Sequence, residues 1–309
     1  MLIKKIDILD CDTYEEEFVR YIYENNKCRR SVETKDIESA YKHFSEMKSG
    51  IQEKTAIVYG AVDSGVLLGF VWASKRSFRE DNKRMFLNIM YVDVGYKNCN
   101  VCELLLDAVK KKAKSMGHKA LFVYEEISDN DAVEFYKEAG FEIERIQLVK
   151  NLTGNENKQR GLAASPEFIE KNLSTFAKLY EENIHAHVLL ENFSYDDAVT
   201  AMNKLIQYLK DEKASVYYEC NGENVIGMIW VHPYKNMCEN RMHLSAIVVQ
   251  KKYKGNSYGQ KLFSAVYNGM IEKNLKTIYT NVDAENSYAT KFYYKQGFED
   301  EAYQMVFKL

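Results

Sequence analysis

Asn286-Ser-Tyr-Ala289-Thr-Lys-Phe292-Tyr293-Tyr294-Lys-Gln-Gly297-Phe298 is the stretch on which the reading of this chain turns. Ala289, Phe292 and Tyr293 fall at the i, i+3, i+4 spacing of one helix face. Gly297 supplies the residue that tolerates the left-handed turn ending many helices. The same arrangement stands 157 residues earlier, as Ala132, Phe135, Tyr136, Gly140 and Phe141. The only two tryptophans, Trp72 and Trp230, each follow a glycine by three residues, Gly69 and Gly227. Tyr96-Lys97 likewise answers Tyr253-Lys254. This period is far longer than that of a solenoid repeat. The expected organisation is two duplicated domains, 1–152 and 162–309, joined by a polar linker at 153–161.

The length agrees, since 309 residues is twice a domain of about 150. Hydrophobic residues at 46% and charged residues at 28% suit a globular chain. The net charge of −3 lacks the basic footprint of a nucleic-acid binder. No apolar run approaches the roughly 20 residues that span a bilayer, so no membrane partner is expected. The N-terminus turns acidic before a signal-peptide core forms. The expected compartment is therefore the cytoplasm, with six reduced cysteines.

Each copy carries the same element order. Two helical patterns follow a short apolar opening, the second at about 33–48 and 195–212. Hairpins follow at Thr55–Val62 with Val66–Ala73 and at Ser215–Cys220 with Val225–His232. Their turns, Asp63-Ser-Gly65 and Asn221-Gly222, hold the residues that tight hairpins need. Then come a strand (Phe86–Val92, Met242–Val249), a helix (Val101–Met116, Tyr258–Lys273), a strand (Ala120–Tyr124, Thr277–Val282), a helix ending at Gly140 or Gly297, and one or two closing strands. This order implies a mixed α/β domain (α+β mixed), with helices flanking a mostly antiparallel sheet.

In the second copy the strand Ile247-Val248-Val249 runs into Lys254-Gly255-Asn256-Ser257-Tyr258-Gly259-Gln260. Small residues at a helix N-terminus let backbone amides converge on an anion, with the helix dipole adding to the attraction. A diphosphate suits such a loop; an ordinary strand–helix turn accounts for it equally. Tyr293 offers a phenol, protonated near pH 7, that can serve as a general acid or as a satisfied core tyrosine.

Together these two segments resemble the GNAT superfamily of N-acetyltransferases. The family's loop Q/R-x-x-G-x-G/A reads Lys254-Gly-Asn-Ser257-Tyr-Gly259 here, with Lys for Gln or Arg and Ser257 for the first Gly. The later pattern N-x-x-A-x-x-φ-Y-x-x-x-G-F is matched in full by Asn286, Ala289, Phe292, Tyr293, Gly297 and Phe298. The duplication resembles the tandem arrangement of mycothiol-synthase-like acetyltransferases. The resemblance implies acetyl-CoA as cosubstrate and an amine of a small molecule or peptide as acceptor, with no metal. It implies that amides between Lys254 and Gln260 hold the pyrophosphate, and that the edge Ile247–Val249 pairs with the pantetheine arm. It also implies that Asn286 lies near the thioester and that Tyr293 protonates the leaving thiolate. A non-catalytic acyl-CoA sensor or a protein-interaction module on the same fold is the competing reading. The expected state is monomer or homodimer.

In the first copy the loop reads Tyr96-Lys97-Asn-Cys99-Asn100-Val-Cys102-Glu103. Both glycines are replaced, a side chain at Cys102 is expected to point at the phosphates, and Glu103 adds an anion. That copy is therefore expected not to catalyse. Cys99 and Cys102 at a helix start also have the spacing of a redox pair. His243, at the head of a strand, is a candidate base on the amine, and Glu219 is a comparable one. His185 and His187 share no helix face. The acceptor is expected to meet Glu181–Tyr195 and the loop 233–241.

Overall fold

The first unit opens with β1 (Leu2–Lys5), α1 (Ile8–Thr13), α2 (Glu15–Cys28) and α3 (Ile37–Gln52). Asp7 and Asp36 cap α1 and α3 by accepting from the amides of Asp10 and Ser39, which satisfies donors that a helix start leaves over. The helices bury Phe18, Ile22, Phe44 and Met47 against Phe70 and Trp72 of the sheet. The hairpin of β2 (Ala56–Asp63) and β3 (Val66–Lys75) turns at Ser64 and Gly65, both at positive φ. Then follow β4 (Arg84–Val92), α4 (Val101–Ser115), β5 (Ala120–Glu126), α5 (Asn130–Glu138) and β6 (Glu142–Asn151). The second half repeats the order: β7 (Leu162–Ala163), α6 (Pro166–Lys171), α7 (Leu173–His185), α8 (Tyr195–Lys210), β8 (Ser215–Asn221), β9 (Asn224–Lys235), β10 (Asn240–Val249), α9 (Tyr258–Glu272), β11 (Thr277–Asp283), α10 (Ser287–Lys295) and β12 (Glu299–Lys308).

This computed structural model describes all residues except 29–35, 76–83, 97–99, 155, 157–160, 186–192 and 236–239. Cys99 and His187, much of the linker and part of the loop 233–241 lie outside the described residues. The elements agree with the duplicated α/β reading in type and order. One difference is that each leading helical stretch is broken once, at Tyr14 and at Asn172. A short α1 or α6 therefore precedes the longer helix.

Strand order in the first unit is β1-β2-β3-β4-β5-β12, and in the second β6-β11-β10-β9-β8-β7. All these pairings are antiparallel except β4 with β5 and β10 with β11. The sequence repeat and the compact units do not share a boundary. The first unit comprises Met1–Glu144 and Ala302–Leu309, and the second comprises Arg145–Glu301. Each unit thus receives its last strand from the other repeat. β12 lies on β5, with Met305 opposite Val123, and β6 lies on β11, with Leu148 opposite Thr280. Met305 and Leu148 are fully buried in their adopted cores.

An arginine holds the point where each strand leaves its own repeat. Arg84 donates to both carboxylate oxygens of Glu144 at 2.9 and 3.1 Å. Arg241 does the same to Glu301 at 2.9 Å each. Forked arginine–carboxylate pairs of this kind fix geometry as well as charge. Beyond these clamps the exchanged strands are complementary to their hosts. In the second unit Lys150 of β6 lies 4.7 Å over the Tyr267 ring and donates to the carbonyl of Gln296 at 2.6 Å. In the first unit the types are reversed: Lys110 of α4 lies 3.8 Å over Phe307 of β12 and donates to the carbonyl of Ala139 at 2.8 Å. Each helix C-terminus thereby gains a cation against its exposed carbonyls. β6 also brings Arg145 to the buried Asp283 at 3.1 Å.

Candidate active site

β10 and β11 run side by side only over Arg241–His243 and Thr277–Tyr279. Beyond His243 the register of β10 on β9 shifts between Leu244 and Ala246. Ser245 is the extra residue of this bulge, and bulges redirect a strand. The two strands diverge from there. They leave a cavity of about 380 Å³ lined by Leu244–Val249 on one side and Thr280–Val282 on the other. The cavity continues to the start of α9 and to Asn286, Ala289, Phe292 and Tyr293 of α10. A strand edge facing open space has amides and carbonyls on offer to an extended ligand.

The turn into α9 is built by local hydrogen bonds. The Tyr253 amide donates to Gln250 and the Lys254 amide to Lys251. Asn256 donates its side-chain amide to the carbonyl of Tyr253 at 3.2 Å. Gly255 and Ser257 follow at φ of 86° and 59°. Ser257 thus accepts the left-handed backbone that the family pattern assigns to glycine. It makes no side-chain cap on α9, whose first turn carries no acidic residue. The amides of that turn and the helix dipole therefore direct positive potential at the cavity. Lys254 stands at the rim, 3.9 Å from Glu182.

Gly259 differs from expectation. A Cβ there would come within 2.9 Å of the Phe292 ring, so this glycine first allows α9 to meet α10. The matching Cys102 packs against the core of the first unit together with Phe135. The expectation that its side chain faces phosphates is corrected accordingly. What that unit's loop does change is charge, because Glu103 lies in the first turn of α4. At the residue before each helix the backbone is alike: Asn100 takes φ 52° where Ser257 takes 59°.

Tyr293 is 6% exposed and packs edge-on to Phe263 and Phe298. Burial pushes its phenol above the usual value, against a hydrogen bond with the Thr280 side chain that lowers it. The group is therefore protonated at neutral pH. Thr280 in turn donates to the carbonyl of Leu244 at 3.1 Å, tying β11 to the bulge. Asn286 caps α10 by accepting from the Ala289 amide at 3.0 Å while lining the cavity.

The sequence model of the acetyltransferase (GNAT) family matches the chain twice, at residues 16–141 and 177–298. The chain belongs to the GNAT family. It is a tandem GNAT protein of mixed α/β architecture. Solved structures of similar fold include a GCN5-related N-acetyltransferase from Sphaerobacter thermophilus, 11% identical, covering 99% of this chain and 95% of that one at a TM-score of 0.61. A tandem GNAT protein from the clavulanic acid biosynthesis pathway is 11% identical, with coverage of 99% and 98% and a TM-score of 0.55. A GNAT-family acetyltransferase from Colwellia psychrerythraea is 15% identical over both full chains, again at 0.55. At such identities the likeness is one of fold. No curated protein matches in sequence.

Ile247, Val248, Val249, Lys254, Gly255, Ser257, Tyr258, Gly259, Gln260, Asn286 and Tyr293 all line this one cavity of the tandem GNAT. Asn256 braces the loop beneath them. Of the expected acceptor segment, Glu182 and Asn183 reach the cavity, whereas His185 contacts the carbonyl of Phe193 at 3.0 Å. Glu219 lies on β8 opposite Gly227, its carboxyl raised by burial against the pull of Lys261. His243 packs between His232 and Tyr279, at 4.7 and 4.8 Å between ring centres. Burial and the neighbouring His232 push it down to about 3, so it is neutral at pH 7.

Sequence reasoning did not find Ser245. Its hydroxyl lines the cavity and lies 2.9 Å from Nδ1 of His232 and 3.3 Å from Nδ1 of His243. The two histidines are register partners across β9 and β10, a pairing legible in the hairpin spacing. The bulge that turns Ser245 toward them left no sign in the alternation of the strand. Among the described residues no cluster of three or more His, Cys, Asp or Glu has the arrangement of a metal site, and no helix is long and apolar enough to cross a membrane.

Proposed function

We propose that this chain is an acetyl-CoA-dependent N-acetyltransferase whose working site is the cleft of the second unit, in the 162–309 repeat. The observation carrying this reading is the continuity of that cleft. A free strand edge at Ile247–Val249 leads from the uncapped start of α9 to the protonated phenol of Tyr293. Amides from Lys254 to Gln260 hold the pyrophosphate, the edge pairs with the pantetheine arm, and Asn286 lies near the thioester.

A primary amine of a small molecule or peptide, entering past Glu182 and Asn183, attacks the thioester carbonyl directly. Holding both reactants in one cleft supplies much of the rate through orientation. The carbonyl is polarised by a backbone amide of β10 near Val249, and Tyr293 returns a proton to the departing thiolate. An imidazole beside Ser245 takes the proton of the amine; the sequence singles out His243, and the shorter tie to Ser245 is that of His232. The first unit does not catalyse, because Glu103 opposes an anion at the start of α4.

Calorimetry with acetyl-CoA, followed by a turnover screen against amines, tests the reading. Binding at about one site per chain with amine-dependent thiol release is expected. Thermal stabilisation by acetyl-CoA with no turnover of any amine would favour a sensor instead.

A further inference from the structure

Ser245 owes its place to the bulge. Residues before it, Met242 and Leu244, pack on the α9 side of the sheet, while Ala246 and Val248 pack beneath α7 and α8. At the changeover the Ser245 side chain meets both the cavity and two imidazoles. A serine hydroxyl has one hydrogen to give. The shorter contact, 2.9 Å to Nδ1 of His232, assigns that hydrogen to His232 and leaves its Nε2 protonated. His243 lies 3.3 Å from the same hydroxyl and packs on the His232 ring with 4.7 Å between ring centres.

We propose that Ser245 and His232 form the proton-accepting pair of this cleft, and that through them the second unit hydrolyses acyl-CoA when no amine is present. The inference rests on the proposal that the cleft binds acyl-CoA. A water on the Ser245 hydroxyl passes a proton to Oγ as Oγ passes its own to Nδ1 of His232. The water oxygen bonds the thioester carbon, and the carbon–sulfur bond breaks with its electrons on sulfur. Tyr293 protonates that sulfur, and the proton on His232 returns through solvent to the phenolate. The products are a carboxylic acid and the free CoA thiol. Water needs this help more than an amine does, because it is the weaker nucleophile until it loses a proton.

Two observations favour His232 over His243 as the acceptor. Its contact is shorter, and although burial lowers both imidazoles, it drives His243 further, to about 3, with His232 itself adding to that shift. The first unit has no counterpart of the pair. Ser74 and Asn88 occupy the two positions, with Asn88 donating to Ser74 at 2.8 Å, and Phe86 stands where His243 does.

The test is thiol release from acetyl-CoA with water as the only nucleophile, on the full chain, beside calorimetric binding of the same compound. Wild type should release thiol steadily. Ser245→Ala and His232→Gln should each lower the rate about a hundredfold, the usual worth of a proton-transfer group, with unchanged affinity. Ser245→Thr keeps the hydroxyl and should stay within a few-fold of wild type, which a merely structural role for the serine would not require. Binding without any thiol release by wild type would overturn this proposal alone. So would wild-type rates in Ser245→Ala, or a loss in His243→Gln as large as in His232→Gln. Absence of acetyl-CoA binding would overturn the underlying reading and this one with it.

Discussion

Where the second unit holds His232, Ser245 and His243, the first holds Ser74, Asn88 and Phe86 on the same framework. The framework is matched closely. β4 and β5 part after Phe86, as β10 and β11 part after His243. A register shift opposite Asn88 matches the one at Ser245. Tyr136 and Tyr293 are only 3% and 6% exposed, and Asp129 caps α5 as Asn286 caps α10. The differences lie in side chains that face the parted strands and in the charge at the helix start. Packing must be kept for a domain to fold, but the chemistry of a cleft is free to drift once nothing selects for it. Two similar scaffolds with unequal side chains at their parted strands fit the proposed division between a working copy and a supporting copy.

The largest effect that could break this comparison is at the paired tyrosines. Tyr293→Phe keeps the ring and removes the proton, so kcat with an accepted amine should fall about 10²–10⁴-fold. Tyr136→Phe should leave kcat unaltered. Equal losses would mean two working sites.

Next in size is the Arg145–Asp283 ion pair of the second unit, at whose matching register the first unit places Ala302 opposite Glu126. Arg145→Ala leaves the 3%-exposed Asp283 without its cation, which should cost about 3 kcal/mol in that unit. Hydrogen exchange of β11 amides would report it.

A pH effect sharpens the contrast further. His243 stays neutral down to about 3 in the native protein, whereas an unfolded histidine protonates near 6.5. Between those values the unfolded chain binds the extra proton, so stability is fully present above 6.5 and is lost as pH falls toward 3. That amounts to about 1.4 kcal/mol per pH unit, roughly 2 kcal/mol between pH 6.5 and 5. His243→Phe, which installs the residue of the first unit, should flatten that slope in urea titrations at the two pH values.

The smallest change is at the loop. Gly259→Cys copies the first unit and presses Cβ on Phe292. Acetyl-CoA affinity should fall about tenfold, or 1.4 kcal/mol, as read by calorimetry. Unchanged affinity would remove the loop from the comparison.

Much of this architecture was legible because the duplication repeats its glycines, tryptophans and helix faces at one spacing. The hairpins followed from Asp63-Ser-Gly65 and Asn221-Gly222, where Ser64, Gly65 and Gly222 take positive φ. The exchange of closing strands was not legible. β6 and β12 share Glu142 and Glu299, Glu144 and Glu301, and Gln147 and Gln304 at equal positions. Either strand therefore satisfies the alternation beside β5 or β11. The reversed partners, Lys150 over Tyr267 and Lys110 beneath Phe307, and the Arg145–Asp283 pair mark the host, and a pairing between elements so far apart leaves no periodic trace. At the site, the cavity-lining loop and Tyr293 were found through motif spacing. Ser245 and His232 were not, because a bulge changes which way a strand residue faces without changing its composition.

The exchange also bears on how the chain is made. Domains tend to fold in the order in which they leave the ribosome. Here the sheet of the first unit waits for Ala302–Leu309, synthesised after the whole of the second. Meanwhile β5 presents an open edge to whatever strand arrives, and β6 is the first candidate to emerge. If β6 docked there, Lys150 would meet Lys110 instead of an aromatic ring, and Asp283 would be left to face Ala302. The nascent chain thus carries a charge penalty against closing each half on itself.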